Sequence, residues 1–468
     1  MEFKHAVFFI AVLLVLTVGR AVCKRSERLR DVCAFLLVFG TTRTELFDIN
    51  FLSREWYRGT TRGIEVSWLD LLWLLLLVSL PPNKVSRWRL PALPMMLVFF
   101  FYNALIVACS EPAIFGVFEL SKMARQICLF FTIARYVEGD RELSILTWGL
   151  VTAVAYEWQW VLRERFWHHT ARVGGTVGHA NSLSMYELMT IPVLVAVAAS
   201  DASPRLRCVC AVSALFGVAT LLFTVSRNGV ITLSLVCIFL LFTFGSVRRI
   251  TARHLGIGVV VAGIIGLFVA MTYGEFAARF EAEGLENEYG GKVYEGRGAY
   301  LILAKGIAER EPFGCGLNNW SWCVSERYGP IVEQYYVPYG STDKPPPERR
   351  LRHYSHIDAP QAAPAHSLYA ITLGETGYVG VILFGVVWAR WFMIAVSFLI
   401  GRTSALRSHF GIGVIGSLVG AFGQSFSEWV LRQTPLALLL HILVGAIAAS
   451  KLNTNCGSKM SPKTNLVD

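Results

Sequence analysis

Charge is what this sequence has least of. Only 16% of its 468 residues are Asp, Glu, Lys or Arg, and 54% are hydrophobic, whereas an ordinary soluble chain carries roughly a quarter charged residues. With a mean hydropathy of +0.49, that shortage excludes a water-solvated globule and implies a polytopic membrane protein. Thiol metal chemistry is missing as well. The ten cysteines include no CxxC pair and no Cys/His cluster with ligand spacing, so no metal site is readable. Internal repeats, heptads and low-complexity tails are also absent, which excludes a solenoid or a coiled coil. The net charge of +10 would suit a nucleic-acid partner. The Lys and Arg residues, however, sit mostly in short runs between apolar segments, where they report membrane orientation, and nucleic acid is discounted.

What is present is a succession of apolar windows long enough to cross about 30 Å of hydrocarbon as helix. They lie near 6–22, 64–80, 92–109, 114–136, 143–161, 180–199, 208–225, 229–246, 255–272, 368–399, 409–426 and 433–450. The segment 31–47 is a weaker candidate, because its clean apolar core from Val32 to Gly40 is too short to cross alone. The expectation is an all-α integral membrane protein of about 12 or 13 transmembrane helices, with one large external loop containing helical segments. The first run, Ala6 to Gly19, lacks a convincing small-x-small cleavage site before Cys23 and is read as a retained span.

Lys84, Arg87 and Arg89, then Arg205 and Arg207, then Arg248, Arg249 and Arg253, then Arg402 and Arg407, fall on alternate connections, as do the lysines after 450. Positive-inside bias makes these cytoplasmic. The segment RFWHHTARVGGTVGHAN, the SRNG turn, the stretch 273–365 and QSFSEWVLRQT are then external. The chain divides into N-terminal spans 1–140, central spans 141–272 carrying GHAN and SRNG, the external loop 273–365, C-terminal spans 366–450 and a cytoplasmic tail 451–468. At about 90 residues, the loop far exceeds what a connection needs. It holds Cys315 and Cys323, which could form a disulfide or remain two thiols.

On this topology the unusual polar residues share one membrane face. Arg227 sits at the outer turn between two spans, where a guanidinium can snorkel to lipid phosphate or receive an anion; the following Asn-Gly suits a tight turn. Arg297 lies in the external loop and His366 where that loop rejoins the membrane. Two arginines and an imidazole at headgroup depth could hold a lipid-linked phosphate or pyrophosphate, and His366 is the candidate acid/base group. His179 and Asn181 open a span from outside and serve either as sugar or phosphate ligands or as a helix cap. Ser226, Tyr369 and Trp320 are further candidate substrate contacts, with Trp320 and Trp322 suited to stack on sugar rings.

Other ionisable groups carry plainer expectations. Glu375 would lie about 13 Å deeper than His366 on a continuous helix and on its opposite side, which suits a bundle hydrogen bond. Glu119, Lys122 and Arg125 stand three apart and can neutralise one another. Glu428 and Arg432, four apart, read as a surface pair. Asp70, Glu157 and Glu187 have no sequence-local partner. His168 and His169, beside Trp167, read as interfacial.

As an ordered set, GTVGHANSLSMY (175–186), TVSRNG (224–229), GRGAYLILAKGIAEREPFGCGLNNW (296–320), AHSLYAITLGETGYVG (365–380) and TPLALLLHILVGAIAA (434–449) resemble the O-antigen ligase and O-antigen polymerase superfamily of bacterial membrane glycosyltransferases. The likeness covers the second half of the chain and carries little weight over the first 140 residues. It implies a GT-C-like fold in the bacterial inner membrane and glycan transfer at the periplasmic face. The donor would be an undecaprenyl-pyrophosphate-linked glycan and the acceptor a lipid or another glycan. It further implies inversion without a metal or cofactor, with the family's serine-arginine motif falling on Arg227, its loop arginine on Arg297 and its histidine on His366. Ser367 stands where the family's His-Asn motif has asparagine. Two rival readings are a transporter of a polyprenyl-linked or anionic substrate and a non-enzymatic lipid-carrier binding protein. A transporter would favour midplane ionisables in broken helices within repeated halves.

Overall fold

The computed structural model describes residues 3–54, 57–81, 90–245, 252–282, 297–328, 364–400 and 405–460. Its helices are α1 (Phe3–Leu14), α2 (Arg20–Arg25), α3 (Glu27–Phe39), α4 (Trp68–Ser79), α5 (Leu93–Cys109), α6 (Ala113–Tyr136), α7 (Asp140–Leu162), α8 (Ala180–Ala198), α9 (Pro204–Phe223) and α10 (Arg227–Gly245). They continue with α11 (Ala252–Ala282), α12 (Arg297–Arg310), α13 (Trp320–Glu326), α14 (Leu368–Val396), α15 (Leu406–Gln424) and α16 (Thr434–Met460). The expected mostly helical chain is found, with one addition. Strands β1 (Asp48–Ser53) and β2 (Gly63–Ser67) form an antiparallel hairpin ahead of α4. The apolar window 64–80 therefore begins as strand and becomes helix only at Trp68, where Ser67 and Asp70 form a capping box.

Among the described residues, five helical stretches are long and apolar enough to cross a bilayer: His5–Arg25, Ala180–Ala198, Pro204–Phe223, Leu368–Val396 and Thr434–Asn453. Trp68–Ser79, Leu93–Cys109 and Arg227–Thr243 are shorter apolar helices. The chain is thus mostly helical with membrane-spanning character. The weak candidate 31–47 runs the length of α7. Asp31 accepts from Arg141 at one end, and Arg43 Nε donates to Tyr156 Oη at 2.9 Å toward the other.

Helix α8 is the axis of the core, with every residue from Ser182 to Leu194 buried. Helix α15 lays a face of Gly413, Gly416 and Gly420 directly against it, the small-residue contact that lets helices approach closely in a membrane. The two ends of the bundle carry different polar groups. Arg407 Nε lies 3.7 Å from Asp140 Oδ1, and Asp140, Arg141, Asp201 and Ser203 line one depression at the end where Arg205 also sits. The connections carrying GHAN, SRNG and 424–433 meet at the opposite end.

The described part of the long loop is not a separate module. Cys315 and Gly316 donate backbone N–H groups to Gly374 O (2.9 Å) and Glu375 O (3.0 Å). Helix α14 kinks beside this contact at Gly377, whose φ of 65° and closeness to the Pro312 carbonyl exclude a side chain. Cys315 and Cys323 are both buried and free, with Cys323 Sγ 3.5 Å from Cys315 O. Of the two alternatives for this pair, the structure has the two thiols.

A buried ionic network locks the loop and hairpin to the bundle. Arg432 Nη2 donates to Glu375 Oε2 at 2.6 Å, and Arg432 Nη1 lies 3.4 Å from Glu119 Oε1. Lys122 Nζ is 3.9 Å from Glu119 and also donates to Thr61 Oγ1 and Arg432 O. The expected Glu119, Lys122 and Arg125 trio is therefore split: Arg125 instead grips Asp70 through Nε (2.8 Å) and Nη2 (2.6 Å). The expected surface pair of Glu428 and Arg432 does not exist, because only Val430–Arg432 forms a short helical turn and both side chains are buried. Glu375 matches its expected role as a bundle hydrogen-bonding group. Truncating Arg432 would take from buried Glu375 its cation while Glu119 keeps Lys122 and Thr61, so R432A is expected to cost about 3–5 kcal/mol. Thermal unfolding in detergent would read this as a large fall in Tm, and an unchanged Tm would show that the network carries no stability.

Candidate functional site

Five connections close together at the end carrying His366. Leu368 N donates to Ser425 O (2.9 Å) and Glu428 O (3.1 Å), which seats the start of α14 on the end of α15. Asn228 Nδ2 donates to Ser427 Oγ (2.6 Å) and Gln424 Oε1 (3.1 Å), tying the start of α10 to the same turn. Val173 N donates to Phe223 O at 3.4 Å, and Thr176 Oγ1 donates to Thr42 O at 2.7 Å. Sites distant in sequence are thus drawn together by backbone and amide hydrogen bonds that each helix end must find somewhere.

The hub is Glu428, whose side chain is 2% exposed. Its Oε1 accepts from Asn181 Nδ2 at 2.6 Å, and its Oε2 lies 3.2 Å from His366 Nδ1. The Nδ1–H tautomer of His366 would donate to this carboxylate and leave Nε2 as an acceptor. The His366 side chain is 42% exposed, and it lies between the rings of Trp429 (5.9 Å) and Tyr300 (6.3 Å). Ser367, the next residue, accepts from Ala370 N at 3.3 Å and caps α14. Serine and asparagine cap equally well, which accounts physically for Ser367 at this position.

Cations surround the hub. Arg172 Nη2 donates to Asn181 Oδ1 at 3.0 Å, so Asn181 bridges a guanidinium and a carboxylate. His179 caps α8, with Nδ1 accepting from Asn181 N at 3.3 Å. Partial burial holds the His179 imidazole below its ordinary range; Glu428 opposes this, and Arg172, His366 and Arg279 reinforce it. Arg279, from the far end of α11, is thus in the electrostatic surroundings of His179. A salt bridge of 2.7 Å between Arg165 and Glu275 holds that end of α11 down.

The residues singled out from sequence divide unevenly. His366 and Asn181 share one carboxylate, and His179 caps the helix beside them. Arg227 is buried at the first position of α10, one residue before the Asn228 contact to Ser427. The tight turn expected at Asn-Gly lies earlier, at Val225 with φ 50°. Asn228 and Gly229 are helical, and Gly229 is where α10 passes too close to Ser184 for a side chain. Ser226 accepts from Gly229 N at 3.3 Å and is buried, so its hydroxyl serves the helix. Tyr369 donates to Phe422 O at 2.9 Å and packs on Phe426, a structural role. Arg297 opens α12 one turn ahead of Tyr300, which places its backbone near the site.

Trp320 requires a correction. It is 2% exposed with its ring against Gly374, and no sugar can reach it. The aromatic side chains beside His366 are Trp429 and Tyr300. Glu428, Arg172, Arg279 and Trp429 were missed by sequence reasoning. Glu428 had been assigned to Arg432 by spacing, and the signal that could have retrieved it is its place in a short outer connection facing a histidine.

Compared with known proteins, the chain matches no protein-family model and no curated protein. The geometry therefore stands alone in defining an open, cation-flanked imidazole and carboxylate site.

Because the folded His179 pKa is depressed, the unfolded chain binds the extra proton first. Stability is then lost as pH falls from the ordinary imidazole value of about 6.5 toward the lower folded one. His179→Asn retains the capping geometry and is expected to flatten this acid-side slope of Tm against pH. An identical slope in the variant would refute the assignment.

Proposed function

We propose that this protein is a polytopic, GT-C-like glycosyltransferase of about 12 or 13 spans in the bacterial inner membrane. It would resemble O-antigen ligases and polymerases and act at the periplasmic face. It moves a glycan from an undecaprenyl-pyrophosphate-linked donor onto a hydroxyl of a lipid or glycan acceptor. The observation that carries this reading is the buried Glu428 carboxylate, which joins His366 to Asn181, with Arg172 donating to the same Asn181.

Two jobs must be done in such a transfer. The acceptor hydroxyl oxygen attacks the anomeric carbon and loses its proton, while the bond from that carbon to the pyrophosphate oxygen breaks and leaves its electron pair on the leaving group. His366 Nε2 takes the proton, and Glu428 stabilises the resulting imidazolium while fixing the ring orientation, as a carboxylate does for a catalytic imidazole. The departing pyrophosphate needs fixed positive charge in a poorly solvated setting. Arg227, Arg297, Arg172 and Arg279 are the groups proposed to supply it, with His179 neutral beside them so that it can donate or accept a hydrogen bond. The resemblance supports Arg227, Arg297 and His366 in these roles; the geometry supports the addition of Glu428, Arg172 and Arg279.

Purified full-length protein in nanodiscs, mixed with radiolabelled undecaprenyl-pyrophosphate-linked glycan and acceptor, is expected to release free undecaprenyl pyrophosphate. H366A should slow release by roughly 10²- to 10⁴-fold with donor binding retained, and R227A by roughly 10²- to 10³-fold. Binding without release by the wild type would instead favour a lipid-carrier binding protein. Proton- or sodium-coupled uptake without release would favour a transporter.

A further inference from the structure

Behind Trp429 lies a second chamber. A cavity of about 250 Å³ opens between the hairpin and the start of α16, lined by Glu45, Asp48, Glu65, Lys122, Trp429 and Arg432 together with several threonines. This is slightly below the roughly 300 Å³ at which small-molecule pockets begin. Trp429 is the shared wall: its ring lines the cavity and also stands edge-on to His366 at 5.9 Å and 64°.

The charges of this chamber are unequally spent. Its cations are committed to the protein, since Arg125 grips Asp70, Lys122 serves Thr61 and Arg432 O, and Arg432 holds Glu375. The carboxylates of Glu45, Asp48 and Glu65, on the hairpin side, take part in no ion pair or side-chain hydrogen bond among the described residues. Carboxylate acceptors, threonine hydroxyls and an indole side chain together suit a ring that carries several hydroxyls. They do not suit a phosphate or a uronic acid, which would meet three carboxylates on the hairpin side.

We infer that this cavity is the acceptor subsite, holding a neutral or amino-bearing sugar ring against Trp429 so that one of its hydroxyls is presented to His366. The inference rests on the transferase reading and adds to it the chemical class of acceptor and the side from which it approaches. Trp429 orients the sugar, and the hairpin carboxylates select against anions.

The test is equilibrium capture, independent of turnover. Full-length protein in nanodiscs is applied to a printed panel of neutral, amino-bearing, phosphorylated and uronic-acid oligosaccharides. Neutral or amino-bearing members should be captured. The D48N/E65Q double variant should weaken capture by roughly tenfold or more, the loss expected when hydrogen bonds to charged groups are removed. W429F should weaken it too, whereas H366A should leave it intact. Capture of no member, preference for phosphorylated or uronic-acid members, or indifference to the double variant would overturn the subsite. Absence of undecaprenyl pyrophosphate release, with capture behaving as expected, would instead overturn the transferase reading alone. D48N/E65Q sits on a partly exposed hairpin, and an unchanged Tm identifies it as folded.

Discussion

A carboxylate with 2% of its side chain exposed has to be satisfied, and the way Glu428 is satisfied organises the whole end of the bundle. An unpaired buried charge costs several kcal/mol, so the chain is driven to bring Asn181 from the start of α8 and His366 from the start of α14 onto its two oxygens. Asn181 in turn carries Arg172. Segments 62 and 247 positions away from Glu428 are thereby held in register by one side chain, and the imidazole is left half exposed. The arrangement has the connectivity expected of a buried polar network, in which each member fixes the next.

The same short connection also anchors the interior. Four residues after Glu428, Arg432 turns the other way and enters the network of Glu375, Glu119 and Lys122. That network reaches Thr61 on the hairpin side, while Asn318 of the long loop binds Thr60 and Thr61 and accepts through its carbonyl from the Tyr57 hydroxyl. Residues 428 and 432 thus couple the exposed site to the position of the hairpin and the loop, and Trp429 between them faces both the imidazole and the polar cavity. Disturbing the interior network is therefore expected to move the site, although no residue of the network touches His366.

Hydropathy made the helices legible, because run length and composition decide whether a segment can cross a bilayer. Each expected window is helical over most of its length. What it could not resolve was backbone form at the window edges. Gly63–Ser67 is continuous in composition with the apolar run but pairs as a strand with Asp48–Ser53, and the kink at Gly377 depends on contact with Pro312 from another segment. At the site, His366, His179 and Asn181 stood out because polar side chains at the mouth of apolar helices demand a reason. Glu428 did not, since the spacing rule that paired it with Arg432 presupposes a helix and the segment is irregular. Asp70 and Arg125 are 55 positions apart, and Trp320 owes its burial to Gly374; neither relation has a local sequence signature. Long-range electrostatic and packing partners are what one sequence conceals.

The central claim is that Glu428 and His366 act as a unit. A double-mutant cycle on the rate of undecaprenyl pyrophosphate release, comparing E428Q, H366N and the double variant with wild type, measures this directly. The account predicts a coupling energy of about 1–3 kcal/mol, with the double variant little slower than H366N alone. Additive losses would show that the carboxylate and the imidazole work independently and would contradict it.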